Sequence, residues 1–364
     1  MDIPDLLLGR GRGNWGAAGR GLGDAERMSL EIALATLDDH DDAYPVYRSI
    51  HATDSPRAPL FSRRSFDCFI THPFPGELTE RYLVRADGTP VGLIRLDAPL
   101  LENTDMASVD VSVAPTARRR GYGREMFEFA LARVRELGRT KVIVTTLAEV
   151  EGCPPVDPAG AEFVRSFGFA PALPEIARQL DVSAVDEALL DRMLAEAWAK
   201  ADGYRIVQWL GIPPDDLIDD VAYLDGRLIQ DAPMGDLELE PEKVTADRVR
   251  EREASMTVRG RQTVHTGAVH EESGRLAAWT TICLDPELDN GQAMQFITLV
   301  DPDHRGHRLG TIVKIENLRR ARAEDPKLNL ITTWNAAANG YMISINEAMG
   351  FRAAWGMMEW QRAV

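Results

Sequence analysis

The sequence predicts an α/β protein with a mixed sheet, built as two tandem copies of one domain, and three observations point there. Val113-Ala-Pro115-Thr-Ala-Arg118-Arg-Arg-Gly121-Tyr-Gly123 returns as Val300-Asp-Pro302-Asp-His-Arg305-Gly-His-Arg308-Leu-Gly310, with Val, Pro, Arg and the last Gly each 187 residues apart. Both segments follow a strand-like run and open a helix-like one. The 364 residues also exceed what a single hydrophobic core usually holds.

Residues 9–23 are rich in Gly and Arg, and Gly11, Gly13 and Gly16 satisfy the pattern GxGxxG. A dinucleotide fingerprint needs a strand before it and an amphipathic helix after it, whereas only Leu6-Leu-Leu8 precedes and more glycine follows. No apolar core with a small-residue cleavage site marks a secretory signal. Residues 1–28 therefore read as a disordered leader, and Met28 is a second candidate start.

The first copy begins with a strand over Leu30–Leu37, and Asp38-Asp39 cap a helix running toward His51. A weaker helix spans Arg64–Thr71. Three strands follow, Glu80–Arg85, Pro90–Leu96 and Ala107–Val113, the first two joined by the hairpin signal Asp87-Gly88. After the motif, Phe127, Ala130, Leu131, Val134 and Leu137 recur at helical spacing until Gly138 stops them. Lys141–Leu147 reads as a buried strand. A proline-rich loop then leads to a short helix ending at Phe167-Gly168-Phe169, and an extended run reaches Val182.

Ser183–Lys200 reads as a connecting helix, after which the order repeats. Tyr204–Leu210 is a strand, Asp219–Asp231 and Ala246–Val258 are helical, and Gln262–Val269 with Arg275–Leu284 form a hairpin at Ser273-Gly274. Asn290-Gly291 turns into the strand Gln292–Val300. The second motif, a helix to Arg322, the strand Asn329–Thr333, a helix over Asn339–Met349, Gly350-Phe351 and a last strand Trp355–Gln361 complete the copy. The expected boundaries are 1–28 leader, 29–182 first domain, 183–203 connector and 204–364 second domain.

Composition narrows the function. The chain carries 41 Lys and Arg against 57 Asp and Glu, a formal charge of −16, which disfavours binding to nucleic acid and attracts small cations. No apolar stretch is long enough to span a bilayer. Cys68, Cys153 and Cys283 lie far apart without a CxxC, so neither a disulfide framework nor a zinc site is expected and a reducing cytoplasm fits. The seven histidines include no HExxH, and His265 and His270 read as surface residues of a hairpin.

A Gly-rich turn between a strand and a helix leaves the first helical N–H groups free, and with the helix dipole these form an anion site. Gly121 and Gly123 let the backbone approach a pyrophosphate closely, and Arg118, Arg119 and Arg120 can neutralise its charge. Pro115 stops the strand and exposes its end.

The pattern Arg118-x-x-Gly121-x-Gly123 resembles the cofactor motif Q/R-x-x-G-x-G/A of the GCN5-related N-acetyltransferase (GNAT) superfamily. The resemblance covers about residues 29–364, and the layout is similar to that of tandem actinobacterial acetyltransferases. It implies two tandem GNAT domains that use acetyl-CoA and no metal. The pantetheine arm would pair with strand backbone near Val113 and Val300. The pyrophosphate would rest on the turns at Arg118, Arg119, Gly121 and Gly123 and at Arg305, Gly306, Arg308 and Gly310.

The copies depart from the family pattern differently. Arg308 stands where the central glycine of the second motif belongs and could supply charge to a CoA phosphate. Four residues before the Gly of Gly-Phe, where the family often has a tyrosine that protonates the leaving thiolate, the first copy has Val164 and the second Asn346. Asn335, Asn339 and Asn346 give the second copy a polar helix face, with a helix cap expected at Asn335 or Asn339, and Tyr341 is a further candidate acid. In the acidic run Asp231–Glu240, Asp236, Glu238 or Glu240 is a candidate to bind or deprotonate a cationic amine, with a solvated acidic loop as the equal alternative. In the first copy Asp110 is the strand carboxylate near the motif, at a position that also fits a solvent-facing side chain. The expectation is acetyl transfer from acetyl-CoA to an amine of a small molecule in the second copy, with a noncatalytic acyl-CoA-binding scaffold as the alternative.

Overall fold

A computed structural model describes residues 30–364, so the leader expected over 1–28 lies outside the described residues. The first repeat runs β1 (Leu30–Leu34), α1 (His40–Asp54), α2 (Arg63–Thr71), β2 (Glu77–Ala86), β3 (Thr89–Pro99), β4 (Met106–Val113), α3 (Tyr122–Glu136), β5 (Lys141–Ala148), α4 (Ala159–Ser166) and β6 (Ala170–Asp181). After α5 (Glu187–Trp198), the second repeat runs β7 (Tyr204–Leu210), α6 (Ile218–Asp225), α7 (Leu228–Asp231), α8 (Ala246–Val258), β8 (Gln262–His270), β9 (Leu276–Leu284), β10 (Gln292–Val300), α9 (Leu309–Glu324), β11 (Leu330–Ala336), α10 (Gly340–Met349) and β12 (Arg352–Ala363).

One expected element is divided. The helix read over Asp219–Asp231 breaks between α6 and α7 because residues 232–245 cross close to it, and a Cβ on Gly226 would stand 2.9 Å from the Glu242 carbonyl oxygen.

The strands form one mixed sheet of twelve, in the order β1-β2-β3-β4-β5-β12-β6-β11-β10-β9-β8-β7. The repeats therefore exchange their last strands. β12 lies against β5 of the first repeat, with Gly356 opposite Ala148 and Ala363 opposite Lys141. β6 lies against β11 of the second repeat, with Asp181 opposite Leu330 and Glu175 opposite Ala336. The central seam is the antiparallel pair of the two exchanged strands.

Core packing follows the exchange. Trp360 of β12 is buried with Phe127, Val144 and Val164 of the first repeat, and its indole N–H donates to Thr146 Oγ1 at 2.8 Å. Leu180 and Val182 are buried with Ile315, Ile331 and Phe351 of the second. A Trp and a Leu thus each bury most of their apolar surface in the other repeat, worth about 2 kcal/mol apiece.

Two features prepare a site. In each repeat the parallel pair after the hairpin is brief: β4 pairs with β5 only over Met106–Ser108, and β10 with β11 only over Gln292–Met294. Beyond those residues the strands part. In addition β10 carries a bulge, since Gln295 faces Ile282 and Thr298 faces Thr280, leaving Phe296 and Ile297 opposite Thr281 alone. β4 runs against β3 without such a shift. The bulge supplies the one residue by which β10 exceeds β4, and it re-aims the strand beside the gap. No helix among the described residues is long and apolar enough to cross a membrane.

Candidate active site

The turn after β10 opens the site. Asp301 accepts from the Asp303 amide at 2.9 Å, Pro302–His304 make a tight turn, and Arg305 returns to extended backbone. Gly306 (φ +91) and Arg308 (φ +58) are both left-handed, and Arg308 caps α9. In the first repeat the left-handed residues are Arg119 (φ +63) and Gly121 (φ +89), with Gly121 capping α3. Glycine and arginine have exchanged places while the backbone keeps its shape. Arg308 thus does not spoil the turn, because its left-handed conformation costs only about 1–2 kcal/mol. A backbone alternating in this way turns successive amides toward one concavity, which suits an anion, and Leu309 and Gly310 have no carbonyl one turn behind them.

Gly123 and Gly310 have another role. A Cβ at either would meet Val113 Cγ2 or Val300 Cγ2 at 3.6 Å, so these glycines seat the helix against the strand end.

The arginines differ between the repeats. Arg118 donates from Nε to the Val113 carbonyl at 3.1 Å and from Nη2 to Asp54 at 2.6 Å, closing the strand end on itself. Arg305 instead reaches Asp231 at 3.2 Å, whose carboxylate also takes both arms of Arg227 at 2.9 Å.

Beside the second turn lies a cavity of about 750 Å³. It passes through the sheet where β10 and β11 part. On the side of α9 and α10 it is lined by Arg308, Lys314, Thr333, Asn335, Asn339 and Tyr341. On the other side Glu175, Glu253, Thr263, Trp279, Thr281 and Trp334 line it, with the bulge residues Phe296 and Ile297 between.

Of the residues expected from sequence, Val300, Arg305, Gly306, Arg308, Asn339 and Tyr341 meet at this cavity. Asn339 caps α10, accepting from the Met342 amide at 3.2 Å, and Tyr341 in its first turn is 57% exposed. Asn346 lies behind the wall. It is fully buried and donates to Asn335 Oδ1 at 2.8 Å, and Asn335 belongs to β11 rather than to a helix.

The acidic run begins at the cavity with Asp231, but Asp236, Glu238 and Glu240 lie elsewhere. Glu238 pairs with Lys141 of the first repeat at 2.9 Å, Asn103 holds the Glu240 backbone at 2.6 and 3.0 Å, and the Asp236 amide donates to the Ala172 carbonyl at 2.9 Å. These residues tie the repeats together, and the amine-binding role expected for them falls outside the cavity. Val113, Arg118, Arg119, Gly121 and Gly123 belong to the turn of the other repeat. There Asp110 is exposed, as its strand alternation allowed, and accepts from Ser112 Oγ at 2.8 Å.

Four side chains that sequence reasoning missed are the most chemically distinctive. His265 is not on the surface but fully buried, because helices cover both faces of the sheet at β8. Its ring stacks between Trp209 and Trp279, with centroids at 5.1 and 6.0 Å. The Trp279 indole can only donate, and it reaches His265 Nδ1 at 3.1 Å, so the neutral ring carries its proton on Nε2. That nitrogen faces Glu253 Oε2 at 3.6 Å. Burial pushes the Glu253 carboxyl up, but His265, the Thr263 hydroxyl and Arg252 together outweigh it and hold the group below its ordinary range.

Glu175 behaves oppositely. Burial, reinforced by Glu359, pushes its carboxyl up to about 7. No local pattern could have revealed it, because Glu175 belongs to the first repeat and lines the cavity of the second only through strand exchange. Lys314 did leave a signal. The offset of 187 sets it in register with Phe127, a core position where lysine has no packing purpose.

The comparisons agree with this architecture. Residues 30–152 match the acetyltransferase (GNAT) family, while no curated protein matches the chain. Among solved structures, a tandem GNAT protein from the clavulanic acid biosynthesis pathway, in its form without AcCoA, is 29% identical with a TM-score of 0.78, covering 92% of this chain and 98% of its own. A GCN5-related N-acetyltransferase from Sphaerobacter thermophilus shares the fold at 13% identity and a TM-score of 0.60, over 92% of this chain and 95% of its own. The chain thus has the fold of a tandem GNAT protein, with residues 30–152 matching the acetyltransferase (GNAT) family and the second repeat built on the same plan.

Proposed function

We propose that the second repeat transfers an acetyl or other short acyl group from acyl-CoA to the amine of a small molecule. The observation that carries this reading is the cavity through the sheet, with an anion-binding turn at one mouth and a carboxyl poised near neutrality on the opposite side. Its volume and its opening beside a helix N-terminus fit an acyl-pantetheine arm with its pyrophosphate outside. Bound acyl-CoA supplies the acyl group already activated as a thioester.

The protein's own residues then have separable tasks. The amides of Leu309 and Gly310, with Arg308, hold phosphate charge. Glu175 accepts a proton from the ammonium form of the acceptor, because only the neutral amine carries a free electron pair. The buried array of Trp209, His265, Trp279 and Glu253 stiffens the acceptor wall. Tyr341 is the hydroxyl available to protonate the departing thiolate, and Asn346 acts through Asn335. Positioning can supply much of the rate.

The first repeat serves as a partner rather than a second centre in this reading, since Arg118 closes onto Val113 and Asp54. A noncatalytic acyl-CoA-binding scaffold is the second reading, favoured by the burial of Asn346 at the place of the family's tyrosine. Thiol release from acetyl-CoA measured over a panel of amines separates the two. Amine-dependent release is expected, and saturable acetyl-CoA binding with no release for any amine would favour the scaffold.

The turn offers a test of its own. Arg308→Gly should remove the left-handed strain and stabilise the fold by about 1 kcal/mol, while weakening CoA about 10-fold through the lost charged contact. Thermal melting and calorimetric titration should therefore move in opposite directions.

A further inference from the structure

Resting on that reading of the cavity, we infer that Lys314 is a recognition site for a carboxylate carried by one of the two substrates. Lys314 is 1% exposed, yet it lines the cavity. Among the described residues its ammonium has no hydrogen bond or ion pair, and its neighbour is the Phe351 ring, 5.5 Å from Nζ. A lone buried ammonium costs several kcal/mol unless an opposite charge arrives.

Packing does not explain the residue. At the matching position of α3 the first repeat has Phe127, buried in an apolar cluster. An apolar side chain suffices there for helix on sheet. The second repeat has placed a cation at the same depth, in the one of the two helices that borders the large cavity.

The missing anion is not one of the protein's own groups. Burial alone acts on Lys314 and pushes its ammonium down to about 7, with no carboxylate contributing. The carboxylates that line the cavity are each engaged elsewhere: Glu175 faces Glu359, Glu253 faces His265, Asp225 is paired with Arg252, and Asp231 is taken by Arg227 and Arg305. Nor is the anion a phosphate held on the turn. Lys314 follows Leu309 by five residues, which is about 7.5 Å along the helix axis, deeper than the mouth where the first amides point.

A ligand that reaches this depth with a carboxylate would restore the charge on Lys314 and form a charge-assisted hydrogen bond in a site closed to water. Two sources have that chemistry. One is the acyl arm, as in a dicarboxylic acyl group, and the other is an acceptor that bears a carboxylate beside its amine.

The test compares matched ligands by calorimetric titration and initial rates. Succinyl-CoA is set against butyryl-CoA, and alanine as acceptor against alaninamide, in the wild type and in Lys314→Met. In one of the two pairs the wild type should favour the carboxylate at least 10-fold, in dissociation constant or in kcat/KM, and Lys314→Met should reduce that ratio to about one. The pair that responds identifies the substrate that carries the group.

A second measurement needs no variant. At pH 8 the wild type should take up close to one proton on binding the favoured carboxylate ligand, read as a dependence of the binding heat on the ionisation heat of the buffer. No preference in either pair, a preference that survives in Lys314→Met, or binding without proton uptake would each overturn the inference. Failure of acetyl-CoA itself to bind would instead overturn the reading of the cavity on which it rests.

Discussion

Glu175→Gln is expected to lower kcat for acyl transfer about 10²- to 10⁴-fold, the usual contribution of a positioned general base. It should also remove a titration from the rate profile. In the wild type the carboxyl loses its proton as pH rises through about 7, so the rate should climb over that interval, and the amide variant should lack that limb. Glu359 raises the Glu175 value through its charge, so Glu359→Gln should move the limb to lower pH. Rates measured from pH 5 to 9 for the three proteins test the assignment, and an unchanged profile in Glu175→Gln sinks it.

The same residue makes a stability prediction of opposite sign. A carboxyl whose folded value lies above its unfolded value of 4.5 favours folding fully only below that value. The benefit is lost as pH rises through about 7. Wild-type stability should therefore decline over this window relative to the Gln variant, by about 1–2 kcal/mol once solvent screening is allowed for. A variant that is less active and more stable at pH 8 is the pattern expected when a site holds a charge for chemistry rather than for folding.

Gly356→Val is expected to give the largest loss of stability. Gly356 faces Ala148 across the β12–β5 seam, and a Cβ there would stand 2.5 Å from Val150 Cγ2 and 2.6 Å from the Ala148 carbonyl oxygen. The second neighbour is backbone and cannot yield without opening the ladder. The cost should be about 3 kcal/mol or more, lowering Tm by roughly 5 °C or more. Because Trp360 beyond this point is buried in the first repeat's core, both repeats should still melt in one transition. Two separate calorimetric peaks in the wild type would show that the exchanged strands do not couple them.

The extent to which the chain could be read without its tertiary structure differs between elements. Tyr204–Leu210, Ala246–Val258 and Gln292–Val300 were legible to the residue, since apolar periodicity and turn residues act over a few positions. The paired turns were legible as well, because a left-handed backbone leaves a glycine as its mark. Even there the sequence showed only an arginine in place of the central glycine, whereas the structure keeps the backbone and moves the glycine from the second left-handed position to the first.

The site was legible mainly at its mouth. Val300, Arg305, Gly306, Arg308, Asn339 and Tyr341 sit on or beside local motifs. Glu175, Glu253, His265 and Lys314 do not, and each owes its chemistry to burial by elements distant in sequence. The acidic run misled for the same reason. Its charge was visible, but its attachment to Asn103 and Lys141 was not.

Sequence alone determined that the chain holds two like units, in which order their strands and helices come, and where each turns from strand into helix at the repeated motif. Tertiary structure decided which strand completes which unit, and so which acids and bases share a cavity. Periodicity specifies the face a strand buries but not the neighbour it pairs with, because any extended edge offers the same backbone hydrogen bonds. The neighbour is chosen by side chains such as Trp360 and Leu180, whose burial is complete only in the other repeat.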